Sequence, residues 1–482
     1  MIPFGPFRPD SAVINTPACL QAVNCIPSAT GYIPFPSFIS GTGALTNVCA
    51  GAVSVLDNQG RVVTFAGDAT KLYKLNSSAA WDDVTRVSGG AYNVGAGEHW
   101  SFATSGSLLL AVNNGDVPQK FDILSGTKFS ALGGSPPRAR YVTTVRDFVF
   151  LGGLVADELT VQWSGLAQPE IWTPGTASSD LQTAQAGGPV RGILGGESAY
   201  VFQDRTISRF TFLAGSPAIF QVDEVSRGRG LIAPRSLVRR GLDAYFMSSD
   251  GVYRFDPSSG GTQAVGKNKW TRWFLDDIRP GYERYVIGGF DPTRSIVSFA
   301  YVSRDGSSAT PDKMLIYETD VDEASIVTVS TTAVMEWLTQ GVSLDQLGAY
   351  GTLDTLPYSL DSGFWQGGLP YLGIFGPDKK LAIASGPPLA ANWETADGEQ
   401  ETRAFIASTR PKVDAASVTV AIATREADGD PVVYETAEQR EDTGWCPAHV
   451  SGNVVRAKIA VPSTTWTRMS GLMTSARPGG VR

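Results

Sequence analysis

The sequence holds only two histidines, His99 and His449, among 482 residues, and neither has a cysteine or a second histidine near it in the chain. That scarcity weighs against a histidine-based metal site or a Ser-His-Asp triad, both of which need imidazole placed beside specific partners. Cysteine is almost as sparse. Cys19, Cys25, Cys49 and Cys446 are too few for a disulfide framework and show no C-x-x-C spacing, so free thiols are expected. Long apolar runs are missing: the longest, such as FVFLGGLVA at 148–156, reach half of the about 18–20 residues that a membrane-crossing helix needs. No membrane insertion is expected. The opening MIPFGPFRPD lacks the basic-then-apolar pattern of a secretory signal, which predicts a protein made and at first kept inside a cell. Basic charge is in deficit, with 39 Lys and Arg against 47 Asp and Glu. A net charge of −8 has the wrong sign for gripping phosphates, so no stable nucleic-acid binding is predicted.

Glycine and proline are plentiful instead, at 53 and 29 residues, and 42% of the chain is hydrophobic, a globular profile. At about 150 residues per domain the length allows three domains, or one large β domain with a smaller one. Prolines at 3, 6, 9, 17, 27, 34 and 36 predict an extended N-terminal arm over 1–45 that packs onto something. Within it, Thr16 as cap and Pro17 in the first turn would permit a short helix around 18–23.

From residue 46 onward the signal is β: short Val-, Phe-, Tyr- and Thr-rich runs punctuated by Gly, Asn, Asp and Ser. GAVSVLD (51–57) and RVVTFAG (61–67) read as a hairpin across Asn58-Gln59-Gly60. LDAYFMS (242–248) and VYRF (252–255) pair across Ser249-Asp250-Gly251, and AYVFQ (199–203) and TISRFTFL (206–213) across Asp204-Arg205. VTVAIAT (418–424) and VVYET (432–436) would pair across Asp428-Gly429-Asp430. Aromatic segments leading into polar turns start at 72 (LYKLNSS), 120 (KFDILSG), 171 (IWTPGTASS), 210 (FTFLAGS) and 252 (VYRFDPSSG). A period of about 40–50 residues with several strands per unit predicts a β-propeller, whose blades bury their faces against one another. A sandwich with long Greek-key loops is the alternative.

After Tyr301 the texture becomes turn-rich and aromatic-poor, as in 303–312 and 338–365. The last hundred residues suggest an appended β unit with strands at 404–409, 417–424, 430–436, 453–461 and 465–475. The expected fold is therefore all-β: a propeller core over 46–300, a turn-rich insertion or remaining blades over 301–390, and a smaller C-terminal β unit over 391–482.

Candidate chemistry is thin. GTQAVGKN (261–268) is one residue from a phosphate-wrapping Walker A loop, but Asn268 replaces the magnesium-binding hydroxyl, and Trp270 and Trp273 follow a hairpin rather than opening a strand-loop-helix unit. SSDGVYRF (248–255) resembles the Asp-box turn of sialidase propellers, itself structural. A glycosidase needs two carboxyls across a cleft, and the pairs Asp82-Asp83, Asp276-Asp277 and Asp320/Asp322 read more simply as solvated turns. EADGDP (426–431) and ETDVDE (318–323) alternate carboxylates without completing a calcium loop. No catalytic residue, metal ligand or cofactor is assigned. RGRGLIAPRSLVRR (227–240) carries Arg227, Arg229, Arg235, Arg239 and Arg240 with no acid between them. Such a cluster is a subunit-contact strip or an anion site, and contact is favoured over nucleic acid because no aromatics interleave.

Several strings taken in order are similar to one family: FGPFRPDSAVINTPACLQAVNCIPSATGYIPFPSF (4–38), LYKLN (72–76), PPRARYVTTVRDFVFLGG (136–153), QWSGLAQPEIWTPG (162–175), VFQDRTISRF (201–210), SLVRRGLDAYFMSSDGVYRF (236–255) and VGKNKWTRWF (265–274). They resemble the tail stabilisation, or nozzle and hub, proteins of short-tailed bacteriophages. The resemblance spans most of the chain and rests on turn-and-aromatic patterns, least of all in the acidic C-terminal part and the cysteine-bearing start. It implies a non-enzymatic propeller subunit of the virion tail, made in the host cytoplasm and assembled as a homohexameric ring below the portal and its adaptor ring. Genomic DNA would pass transiently through the lumen, and fibres or tailspikes would attach outside. An acid-rich wall would repel passing DNA over a screening length of about 8–10 Å, and closed symmetry would make modest contacts durable. The rival reading is a carbohydrate-binding or glycan-hydrolysing propeller used in receptor recognition.

Overall fold

The computed structural model describes residues 2–478 apart from Phe4, Val13, Asn58, Pro217, 343–346, Ala349, Pro357 and Asp428. Asn58 and Asp428, which belong to two of the expected turns, lie outside the described residues.

Strands rich in β-branched and aromatic residues fold back on their neighbours into antiparallel four-stranded meanders at residues 51–83, 101–131, 139–183, 190–227 and 238–265, here blades 1 to 5. A sixth free-standing sheet, the closing blade, takes its three inner strands from 333–388 and its outermost strand, Pro36–Ala44, from the N-terminal arm. Between blade 5 and the closing blade lies a further meander at 287–328, whose outer edge continues into the C-terminal sheet. The first strand of each unit is innermost. Gly51–Leu56 packs beside both Ser101–Ser105 and Ala333–Leu338, and Ile287–Asp291 beside both Val238–Arg240 and Ala333–Leu338. The chain is thus an all-β propeller with an appended β region.

Blades form because their middle strands are apolar on both faces. Phe148–Leu154 and Ile296–Tyr301 are buried at every position, as expected when each sheet is sandwiched between two others. Aromatic rings fill the seams. Phe65 meets Phe121 at 5.0 Å between blades 1 and 2, Phe150 meets Phe220 at 4.9 Å between blades 3 and 4, and Phe202 meets Phe246 at 5.3 Å between blades 4 and 5. Edge-to-face pairs of this kind add about 0.5–1.5 kcal/mol each beyond burial.

The repeated aromatic segments have a common place. LYKLNSS, KFDILSG, FTFLAGS and VYRFDPSSG fall on the third strands of blades 1, 2, 4 and 5, while IWTPGTASS occupies the loop after the third strand of blade 3. Three expected hairpins form as strands Gly51–Leu56 with Val62–Gly67, Ser198–Gln203 with Thr206–Phe212, and Asp243–Ser248 with Gly251–Asp256.

Three local expectations need correction. Residues 19–23 are a strand, not a helix: Cys19–Val23 pairs with Ala391–Thr395, and this sheet partner overrides the weak cap signal. Residues 432–436 form no continuous strand: the returning chain meets Thr419–Arg425 at the Ala423–Tyr434 bridge, the Glu435 N–H to Ile422 carbonyl bond and the short strand Glu438–Gln439, while the other edge of Thr419–Arg425 pairs with the long strand Cys446–Val461. The turn-rich segment 338–365 is not aromatic-poor: Tyr350, Tyr358, Phe364 and Trp365 pack together against Trp337 of the closing blade. The arm packs as strands of two sheets. Its strands Cys25–Ser28 and Gly31–Pro34 border the C-terminal sheet, and Pro36–Ala44 closes the ring against Lys380–Pro388.

The 14-stranded sheet joins the 287–328 meander to strands Cys19–Val23, Ala391–Thr395, Cys446–Val461, Gly398–Val413 and Met469–Pro478 in that order. Its weld is a parallel bridge from Val23 to Ile326, beside which Asn24 donates to the Ile326 carbonyl at 2.7 Å and accepts from the Thr328 N–H at 2.8 Å. Asn24 has φ 60°, a left-handed conformation that asparagine tolerates better than most side chains. Among the described residues no helix is long and apolar enough to cross a membrane.

Candidate functional sites: the arm dock and the axial funnel

Two constellations gather the residues that the sequence singled out. In the first, the arm closes over the segment 266–274. Trp270 begins the short helix Thr271–Asp277 without a side-chain cap of its own, so the first N–H groups need acceptors from elsewhere. Asp10 supplies them, its carboxylate accepting from Arg272 N at 2.7 Å and Trp273 N at 2.8 Å. The Asp10 N–H donates to the Lys269 carbonyl at 3.0 Å, and Phe7 stands edge-on to Trp273 with centroids 5.2 Å apart. Arg8 pairs with Glu323, and Lys269 bonds both Asp322 at 2.8 Å and Glu323 at 3.4 Å. FGPFRPD and VGKNKWTRWF, two separate strings of the family resemblance, are therefore the two halves of one interface within the chain. An Asp10→Ala variant is expected to lose about 0.5–2 kcal/mol of unfolding free energy, measured by denaturant titration.

This dock also explains the Walker-like string. Gly261–Val265 is the last strand of blade 5, and Gly266 (φ 70°) lies so near the Trp270 ring that a Cβ there would come within 2.1 Å of it. The glycine is required by indole packing, and Lys267 and Asn268 point to solvent. The Asp-box-like turn is the tip of a hairpin, where the Tyr253 hydroxyl donates to Asp250 at 2.7 Å and accepts from Arg229 Nε at 2.9 Å. Of the carboxylate pairs, Asp83 bonds Lys71 at 2.9 Å, Asp277 bonds Lys313 at 2.9 Å, and Asp320 meets Arg240 at 3.2 Å. Among the described residues no group of three or more His, Cys, Asp or Glu is placed to hold a metal ion. All four cysteines are free and buried. Burial pushes the thiols of Cys19 and Cys49 up to about 12 and that of Cys446 to about 11, far from the thiolate a nucleophile needs.

The five arginines do not make one strip. Arg227 bonds Glu224 at 2.6 Å and Arg229 stacks over Tyr253 at 5.0 Å, both beside the outer edge of blade 4. Arg239 donates to the carbonyls of Gly241 and Gly195 at 3.0 and 3.1 Å on the innermost strand of blade 5. Arg235 leaves the group altogether, because the 3-10 turn Pro234–Ser236 carries it to the propeller axis. The reason is local: proline starts the turn, and Ser236 fixes it by donating to Ala233 O at 2.8 Å and accepting from Met247 N at 2.9 Å.

At the axis the chain opens a funnel of about 650 Å³, continued by a narrower compartment of about 280 Å³ between the innermost strands. Arg235 lines both. Cys49, Glu98, Tyr282, Tyr285 and Thr332 face the wider part, and His99 and Trp100 the narrower. Small residues such as Ala50, Gly95, Ala96 and Gly288 keep the space open. Glu98 is engaged by Arg140 Nε at 3.2 Å. Burial, reinforced by the charge of Arg235, pushes His99 down to about 3. The folded protein therefore favours the neutral imidazole, and protonation of the unfolded chain erodes stability as pH falls below the free histidine value of about 6.5. In a histidine NMR titration the His99 ring is expected to stay neutral at pH 5, where a free imidazole is mostly charged. Neither the funnel nor the arm dock was visible in periodicity. The only signals were a Pro-Arg pair at a strand entrance and an isolated FRPD string.

No family model and no curated protein matches this chain. Solved structures similar to it include the extracellular domain of a one-component system from B. thetaiotaomicron, at 8% identity and TM-score 0.43, covering 78% of this chain and 43% of that one. The β-propeller domain of Cps50 (Swd1) from Myceliophteria thermophila aligns at 8% identity and TM-score 0.41, covering 72% and 99%. BamB from Moraxella catarrhalis aligns at 11% identity and TM-score 0.37, covering 75% and 93%.

Proposed function

We propose that this chain is a structural subunit of a short-tailed bacteriophage tail: a nozzle or hub protein that closes as a homohexamer below the portal and adaptor rings, conducts DNA and carries fibres or spikes on its outer wall. The observation that carries this reading is that family-like strings far apart in the chain, FGPFRPD and VGKNKWTRWF, spend their charged and aromatic residues on each other through Asp10, Phe7, Lys269 and Trp273. Motif residues consumed by internal docking suit a load-bearing part. The edge-to-edge sheet joining propeller and C-terminal strands also favours a stiff wall, and the net charge of −8 favours a lumen to which DNA does not adhere.

The ring contact proposed here involves Arg227 and Arg229, which stand together beside the outer edge of blade 4. Charge reversal of Arg227 and Arg229 to Glu is expected to impair ring assembly, read by native mass spectrometry, while leaving the monomer's unfolding transition within a few degrees. An image reconstruction of the intact particle tests the whole reading. Density for this chain on the sixfold axis supports it; density off the axis, or glycan hydrolysis by the purified chain, replaces it with the receptor-recognition alternative.

A further inference from the structure

We propose that the axial funnel is a binding site for a small-molecule oxyanion, a carboxylate or phosphate group held by the guanidinium of Arg235. This inference does not rest on the tail reading. Several half-buried guanidinium groups elsewhere in the chain have carboxylates: Arg86 has Asp116 at 2.8 Å, Arg191 has Asp204 at 2.6 Å, Arg294 has Asp291 at 2.7 Å and Arg456 has Asp397 at 2.7 Å, whereas Arg440 is held by backbone carbonyls, among them Val413 O at 2.9 Å, and lines no cavity of the funnel. Arg235 forms no ion pair among the described residues. Its hydrogen bond goes to a neutral acceptor, the Thr332 carbonyl, at 3.0 Å. A surrounded cation without a counter-charge is costly unless something supplies one. Here the cost shows as burial pushing Arg235 down to about 10.

The surroundings suit an anion. Glu98 is the one carboxylate among the residues that line either compartment, and it is turned to Arg140 at 3.2 Å, which it shares with Glu158 at 2.9 Å. Neutral His99 offers a ring N–H, and Tyr282 and Tyr285 offer hydroxyls at the wider end. A volume of about 650 Å³ falls within the range of about 300–1,000 Å³ typical of small-molecule sites. The planar fork of arginine matches the two oxygens of a carboxylate or phosphate.

The chain's two histidines make the test specific, because His99 lies in the funnel and His449 in the C-terminal sheet. The full-length protein, labelled at histidine, is titrated with inorganic phosphate and separately with citrate, using sodium chloride at matched ionic strength as control. The expected result is a saturable shift of the His99 resonances with either oxyanion, none with chloride, and no saturable movement of His449. Arg235→Gln should weaken the response about tenfold or more, the scale of one lost charged hydrogen bond. Arg235→Lys, which keeps the charge but not the fork, serves if the glutamine variant lacks a cooperative unfolding transition, and should also weaken it. A phosphate response without a citrate response assigns the site to phosphate, and the reverse to carboxylates. Absence of a saturable His99 shift in the wild-type protein, or a response unchanged in the folded Arg235 variant, overturns the proposal.

Discussion

Removal of residues 1–44 is expected to abolish cooperative folding altogether, giving a chain with no sharp thermal transition and lost near-ultraviolet circular dichroism. The segment contributes Phe7, Cys19, Ala22, Cys25, Ile26, Tyr32 and Phe35 to the core, each 3% exposed or less. At about 1.5–3 kcal/mol for each large apolar side chain, their summed loss rivals the 5–15 kcal/mol that holds a typical domain together. Two partner strands are also stripped: Lys380–Pro388 loses Pro36–Ala44, and Ala391–Thr395 loses Cys19–Val23. A single-residue version separates packing from strand loss. Phe35→Ala, at a position 1% exposed between the 287–328 meander and the closing blade, is expected to cost about 3–5 kcal/mol while preserving a cooperative transition. A truncated chain that unfolds at the wild-type temperature would show that the arm is dispensable.

The second large effect is expected at Asp397. This carboxylate is 4% exposed and accepts from Arg456 at 2.7 and 2.8 Å, while Arg425, itself 8% exposed, approaches it at 2.5 Å. Arg456 also reaches Glu394 at 3.2 Å. Asp397→Ala leaves two guanidinium groups crowded in the sheet without their shared counter-charge, and a loss of about 3–5 kcal/mol is expected in denaturant titrations. Burial alone would raise the Asp397 carboxyl, but the hydrogen bonds and charges of Arg456 and Arg425 outweigh it and leave the group below its ordinary value. Because the folded value is depressed, the contribution is fully present above the unfolded aspartate value of about 3.9 and disappears as pH falls through the folded one. The variant should therefore be the less stable protein at pH 7, with the difference narrowing below pH 4. A gap that stays constant with pH would exclude the charge explanation.

How far the sequence can be read follows from the distance over which each signal acts. Third strands were legible because a blade repeats its own local chemistry: LYKL, QKFD, TISRFTF and GVYRFD each put aromatic or apolar residues just before a polar turn. The cap at Asp10 was not, because it depends on residues 272–273 far along the chain, and neither was the axial place of Arg235, whose turn is local but whose surroundings are assembled from distant strands. Cys19–Val23 shows the same limit. Its local cap pattern permits a helix, and only the strand at 391–395, more than 360 residues away, makes it β. Within 227–240 sequence proximity misled in the opposite sense, since five arginines close in the chain go to the rim of blade 4, the axis and the inner strand of blade 5.

The closing strand also sets a clock. Residues 36–44 leave the ribosome roughly 340 residues before 380–388, their one ladder partner among the described residues, which at about 5–20 residues per second means a wait of ~17–70 s. Every other blade can zip as soon as its own four strands emerge, so the nascent chain accumulates finished blades as an open arc with a spare ribbon at its head. Ring closure is then a single late event, and its rate is governed by how well that ribbon is kept from pairing elsewhere in the interval.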